Sequence, residues 1–131
     1  MQARVSNLLA AGVLVALTVA VFAASRNTGP ESSLRRFHLA LLNRREADFY
    51  AVVLPPKTPP GATVAAETEF LLRRGARVRL GAIEKRPPRA SVEVAYIFDN
   101  GVYARRFALV RQRGTWMLDL DETARLMSPM R

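Results

Sequence analysis

His38 is the one histidine of this 131-residue chain and its most direct candidate for acid–base chemistry, because an imidazole changes charge near neutral pH. Asp48 is the carboxylate that could work with it, although it could equally cap a helix or pair with Arg44 or Arg45. With Tyr96 as a third polar group, the set would suit a small-pocket lyase or isomerase that moves a single proton. Against that stands a plainer role. A histidine set beside Leu34, Leu41 and Leu42 on one helical arc reads first as a packed, hydrogen-bonded core residue. Arg105 could fork onto a carboxylate or phosphate ligand. Its expected role is structural, with the stem on neighbouring aromatics and the head reaching water at the sheet edge. Tyr96, Tyr103 and Trp116 would line any ligand pocket with Arg105, and each is first a core residue with one polar tip to satisfy.

The composition excludes several chemistries. Cysteine is absent, so there is no disulfide framework, thiol nucleophile, thiolate metal site or lipidated cysteine. One histidine cannot make a multi-histidine metal site, and no cofactor is expected. No nucleophile elbow, phosphate loop or dinucleotide fingerprint occurs.

The elements that must position these residues follow from periodicity. A helix is expected to start between Pro30 and Ser33 and to bury Leu34, Phe37, Leu41 and Leu42; a second runs from Glu46 to Leu54. Residues 55–61, rich in proline, form a stiff extended connector that could also serve as a polyproline ligand. Thr63 then caps a helix through Arg74, supported by Glu69 and Arg73 four residues apart and stopped by Gly75. Beyond Gly75 the period becomes two. Val78, Leu80 and Ala82 mark a first strand, which Pro87-Pro88 ends. Ser91 to Asp99 and Val102 to Arg111 flank Asn100-Gly101 as a hairpin. That turn sets Tyr96 opposite Arg105 and gathers Val92, Val94, Tyr96, Phe98, Tyr103, Phe107 and Leu109 on one core face, with Glu93 and Asp99 on the other. A last strand over Thr115 to Leu120 turns Trp116 and Leu118 inward, and a helical turn is expected over Asp121 to Met127. Helices followed by an antiparallel sheet of about four strands is an α+β pattern.

Ahead of this domain lies an uncharged run of 21 residues, Val5 to Ser25, between Arg4 and Arg26. As a helix it would reach roughly 31 Å, close to the ~30 Å hydrocarbon core of a bilayer. Its apolar stretch is longer than the core of a typical signal peptide, which favours a retained anchor over a cleaved signal. The expected organisation is therefore a transmembrane or signal-anchor helix over 1–25, a tether over 26–33 and one domain over 34–131. Gly12, Ala16, Ala20 and Ala24 recur every four residues, a stripe that would let two such helices pack and the chain form a homo-oligomer. Arg26, Arg35 and Arg36 after the run lean towards a cytoplasmic domain, a cue that long domains often override. The chain carries a formal charge of +9. Such a charge draws a protein to anionic lipid or polymer. Membrane targeting weighs against nucleic acid, and basic residues scattered in pairs read as a solvated surface.

The segments 37–50, 90–94, 99–101 and 107–116 resemble bacterial members of the nuclear-transport-factor-2-like superfamily, also described as a cystatin-like α+β cone. The first is similar to that family's first two helices and their joint, the others to its closing hairpins. The resemblance implies helices closing over a curved sheet. The family holds isomerases, dehydratases, transport factors and non-catalytic accessory domains, so the fold does not choose the function. Family enzymes pair a pocket carboxylate with a histidine or tyrosine, and the core strand face here carries no Asp or Glu. The leading expectation is a membrane-anchored accessory domain, outside the cytoplasm, that binds a small ligand or protein partner; it would be secreted if the first segment were cleaved. The alternatives are the lyase or isomerase using His38, Asp48 and Tyr96, and electrostatic docking on anionic lipid or polymer.

Overall fold

The computed structural model describes residues 29–127. The uncharged run and its small-residue stripe at Gly12, Ala16, Ala20 and Ala24 lie outside the described residues. Among the described residues no helix is long and apolar enough to cross a membrane.

The architecture is α+β, with four helices and a four-stranded antiparallel sheet in the order β1-β2-β3-β4. Helix α1 (Pro30–Asn43) opens with proline in its first turn, where a missing N–H costs nothing. It ends at Arg44, which takes the left-handed conformation usually left to glycine, while the Arg45 N–H closes back on the Ala40 carbonyl. Helix α2 (Glu46–Val52) stops two residues before the expected Leu54. The cause is the sheet: Val53 is extended and bridges Leu118, and the Leu54 N–H donates to the Leu118 carbonyl. Pro55 reinforces this by disfavouring helical geometry just before it.

Helix α3 (Pro59–Arg73) begins five residues earlier than the Thr63 cap predicted. The cap is Thr58, whose hydroxyl accepts from the Gly61 N–H at 3.2 Å, and Pro59 and Pro60 fill the first helical positions. The extended proline-rich segment is correspondingly shorter than 55–61. Asp121 of helix α4 (Leu120–Met127) fastens this start by accepting from the backbone of Lys57 and Thr58 and from the Thr58 hydroxyl. Gly61 is needed here for its lack of a side chain, because a Cβ would overlap Asp121 Oδ1 and lie 3.1 Å from the Asp121 Cα. Replacing Gly61 by Ala should therefore cost about 1–2 kcal/mol by forcing α3 and α4 apart, and urea denaturation followed by the fluorescence of the one tryptophan measures it.

Strand β1 (Arg77–Arg86) bulges between Leu80 and Ile83 and turns through Pro87-Pro88 into β2 (Arg89–Phe98). Strand β2 pairs with β3 (Gly101–Gln112), but the register differs from the expected one: Tyr96 faces Tyr103, Val94 faces Arg105 and Val92 faces Phe107. The turn is Asp99-Asn100, one residue earlier, and neither Asn100 nor Gly101 adopts the positive φ that an Asn-Gly turn uses. Moving the turn one residue shifts the cross-strand partner by two, so every side chain keeps its face. Val92, Val94, Tyr96, Phe107 and Leu109 are accordingly buried, and Glu93 and Asp99 are exposed. The left-handed turn lies instead at Arg113-Gly114, leading into β4 (Thr115–Leu118).

Phe37 of α1 packs on Phe49 of α2 and Phe107 of β3 at ring separations of 5.8 and 5.7 Å, and with Leu34, Val52, Trp116, Leu118 and Leu120 it joins helices to sheet. The inner side of β1 is left partly open, with Val78 39% and Ile83 41% exposed.

Candidate functional site

Five polar side chains, His38, Tyr96, Thr68, Arg105 and Glu67, come together between α1, α3 and the inner face of the sheet. His38 projects from α1 one turn after Leu34, and its Nδ1 lies 2.7 Å from the Leu34 carbonyl. A carbonyl can only accept, so Nδ1 carries the proton and Nε2 of the neutral ring is an acceptor. The Tyr96 hydroxyl, 2.8 Å away on β2, therefore donates to Nε2. On the far side of Tyr96 the Thr68 hydroxyl of α3 interacts with the phenol. Thr68 also bonds the Val64 carbonyl one turn back at 2.7 Å and accepts from Arg105 at 2.9 Å. The other Arg105 terminal nitrogen donates to Glu67 Oε2 at 3.0 Å. Two bonded groups thus stand side by side at the Tyr96–Thr68 contact: Leu34–His38–Tyr96, and Val64–Thr68–Arg105–Glu67.

Burial and the Arg105 charge set the electrostatics of this cluster. Arg105 stands on the core face between Tyr103 and Phe107, with its guanidinium 5.4 and 6.0 Å from their ring centres. Its side chain is 1% exposed, against 50% for Glu67, so the pair joins a buried cation to a half-solvated anion. The expected solvent-reaching head is thereby corrected: α3 overlies the strand and supplies a carboxylate, a carbonyl and a hydroxyl that hold the guanidinium inside. Its Nε–H remains buried without a partner among the described residues. Burial is the main cause that lowers the His38 pKa to about 4, with Arg105 adding to the fall and the Leu34 bond opposing it. Burial raises the Tyr96 pKa, offset in part by Arg105 and Thr68. Both groups are held neutral at physiological pH.

The remaining sequence candidates fall elsewhere. Asp48 has a 59% exposed side chain and pairs with Arg45 at 3.8 Å, so the acid–histidine pair is not assembled. It stays in water because α2 is short and buries Val52 rather than its acidic turn. Trp116 is buried in the core, and its backbone carbonyl accepts from Ser33 at the start of α1. Tyr103 is 45% exposed and is the only one of the four proposed ligand-binding residues that meets solvent. A cleft of about 340 Å³ opens on the outer side of the sheet, lined in part by Glu84, Arg86, Arg89 and Glu122, and one of about 650 Å³ lies between the Pro55–Pro60 segment and α4. Neither has His38, Tyr96, Arg105 or Trp116 in its wall. Among the described residues no group of His, Asp and Glu could hold a metal ion.

Glu67 and Thr68 escaped the sequence reading because they lie 38 and 37 residues from Arg105. The available signal was the spacing of Val64, Glu67 and Thr68, which share one side of a helix and offer two polar groups to whatever packs there. Tyr96→Phe isolates the bond between Tyr96 and His38. It should cost about 1–2 kcal/mol by leaving His38 Nε2 buried without a donor, as read by urea denaturation. Compared with known proteins, the chain matches no family model and no curated protein.

Proposed function

We propose that this chain is a membrane-anchored, non-catalytic accessory domain of nuclear-transport-factor-2-like type. Held outside the cytoplasm by one apolar helix over 1–25, it would bind a protein partner or small ligand there. The anchor is supported by the 21-residue uncharged run, whose length suits one bilayer crossing. The non-catalytic assignment is carried by one observation: both ring nitrogens of His38 are committed within the protein, to Leu34 and Tyr96. A general base needs a nitrogen that can reach a substrate proton, and this one has none to offer. The same neutral, bonded imidazole serves well as a strut between helix and sheet. The lyase or isomerase alternative also lacks its carboxylate, since Asp48 faces water and Arg45.

Alkaline carbonate extraction of membranes from cells making the full chain tests the anchor. Protein retained in the pellet supports it, and protein released to the supernatant overturns it. The partner is sought by photo-crosslinking from position 103, the exposed tyrosine beside Arg105. An adduct that recurs with one species and disappears on competition with that species supports the binding role.

A further inference from the structure

We infer that the end of the sheet where the tether enters is a basic pad that docks on anionic lipid headgroups. This rests on the membrane-anchor reading and assigns a surface and an orientation to it. Two turns meet at this end. One is Pro87-Pro88, between Arg86 and Arg89; the other is Arg113-Gly114, between Gln112 and Thr115. The Arg111 N–H donates to the Pro88 carbonyl at 2.7 Å and locks the turns together. They gather Lys85, Arg86, Arg89, Arg111 and Arg113, all exposed and in no ion pair among the described residues. These cations come from two separate stretches, 85–89 and 111–113, so the pad is completed only in the fold. Three acidic groups share a cleft wall with Arg86 and Arg89, namely Glu84, Asp119 and Glu122, and Glu122 is bonded to Arg125 and feels Arg89; the five cations outnumber them.

The chain's point of entry selects the occupant. Ser33, in the first turn of α1, bonds the carbonyl of Trp116, and Trp116 is the cross-strand partner of Arg111. The helix that follows the tether therefore starts beside the pad. Only residues 26–29 separate the uncharged run from Pro30, a reach of at most roughly 18 Å from Ser25. A bilayer crossed by that run would hold the pad within one to two Debye lengths of its headgroups, close enough for a surface of opposite sign to capture it.

The absence of cysteine permits a clean test with the full chain in lipid nanodiscs. A fluorophore is placed at Thr115→Cys, beside the pad, or at Asn100→Cys in the turn at the opposite end of the hairpin, and a headgroup-borne quencher reports proximity. Quenching at 115 but not at 100 is expected when phosphatidylglycerol is present. It should be weak in phosphatidylcholine alone and fall with added salt. The quadruple variant R86Q/R89Q/R111Q/R113Q, which alters only exposed side chains, should cut the docked fraction roughly tenfold while leaving Trp116 fluorescence native. Quenching at 115 that ignores lipid charge, or none in nanodiscs that do carry the protein, overturns the docking and leaves the anchor standing. Salt-sensitive retention on heparin without lipid-dependent quenching also overturns it, in favour of a soluble polyanion. Failure of the chain to co-elute with nanodiscs at all overturns the anchor, and the docking with it.

Discussion

Lowering the pH from 7 to 4 weakens the fold by about 3 kcal/mol through His38 alone. The ring's pKa is about 4 in the native protein, against an ordinary value of 6.5. Since the native pKa is the lower one, the unfolded chain binds the proton first, and stability falls as pH drops below about 6.5. The loss proceeds at close to 1.4 kcal/mol per pH unit and levels off below about 4, where both states are protonated. Its origin is physical exclusion: a charged imidazole in this site would be desolvated, would face the Arg105 guanidinium and would lose its bond from Tyr96. Native carboxylates titrate too, but Asp121 and Glu122 are held below their ordinary values by hydrogen bonds, so their part of the acid transition lies lower. Urea denaturation at a series of pH values, with Trp116 as reporter, separates the two. The slope between pH 6.5 and 5 should disappear in His38→Gln, whose amide can still meet Tyr96, and persist below pH 4. A slope unchanged in that variant contradicts the assignment.

Replacing Glu67 by Ala should cost about 3 kcal/mol, far more than removal of a half-exposed glutamate ordinarily does. The reason is what it leaves behind. Arg105 is essentially inaccessible to water, with one N–H already unpartnered, and without Glu67 its charge has no counterion. The exposure of Glu67 screens the pair and keeps the cost at the low end of the range for breaking a buried ion pair. Arg105→Met removes the cation itself and leaves Glu67 free to hydrate, so the double variant E67A/R105M should recover most of the lost stability, to within about 1 kcal/mol of the parent. Such a strong coupling in the double-mutant cycle is the signature of an uncompensated buried charge. If Glu67→Ala instead costs less than about 0.5 kcal/mol, the pair behaves as a surface contact and the guanidinium is hydrated by another route.

The division between what the sequence disclosed and what it hid follows from the range of each interaction. Strand faces were legible because alternation is local, and a turn displaced by one residue left every face intact. That is why Val92, Val94, Tyr96, Phe107 and the intruding Arg105 fell where the pattern put them although the cross-strand partners did not. The hairpin turn was misplaced because Asn-Gly chemistry competes with the pairing of Phe98 and Gly101. The start of α3 was hidden by reading Pro59 and Pro60 as loop, when a threonine followed by proline is also how a helix begins. The end of α2 was set by a strand bridge to Leu118, some sixty residues ahead of it. The polar cluster and the basic pad were out of reach for the same reason. Each is assembled from residues that meet only after α3 folds over β3 or two distant turns are tied by the Arg111 N–H.

What most directly decides between a strut and a catalytic centre is the protonation state of His38 itself, read by nitrogen NMR of the full chain in detergent or nanodiscs. A single neutral tautomer, protonated at Nδ1, that persists without titrating from pH 8 to about 5 is the outcome expected from its bonds to Leu34 and Tyr96 and its lowered pKa. An imidazole that titrates near its ordinary 6.5, or exchanges between tautomers, would be free to take up a proton and would contradict the structural role assigned here.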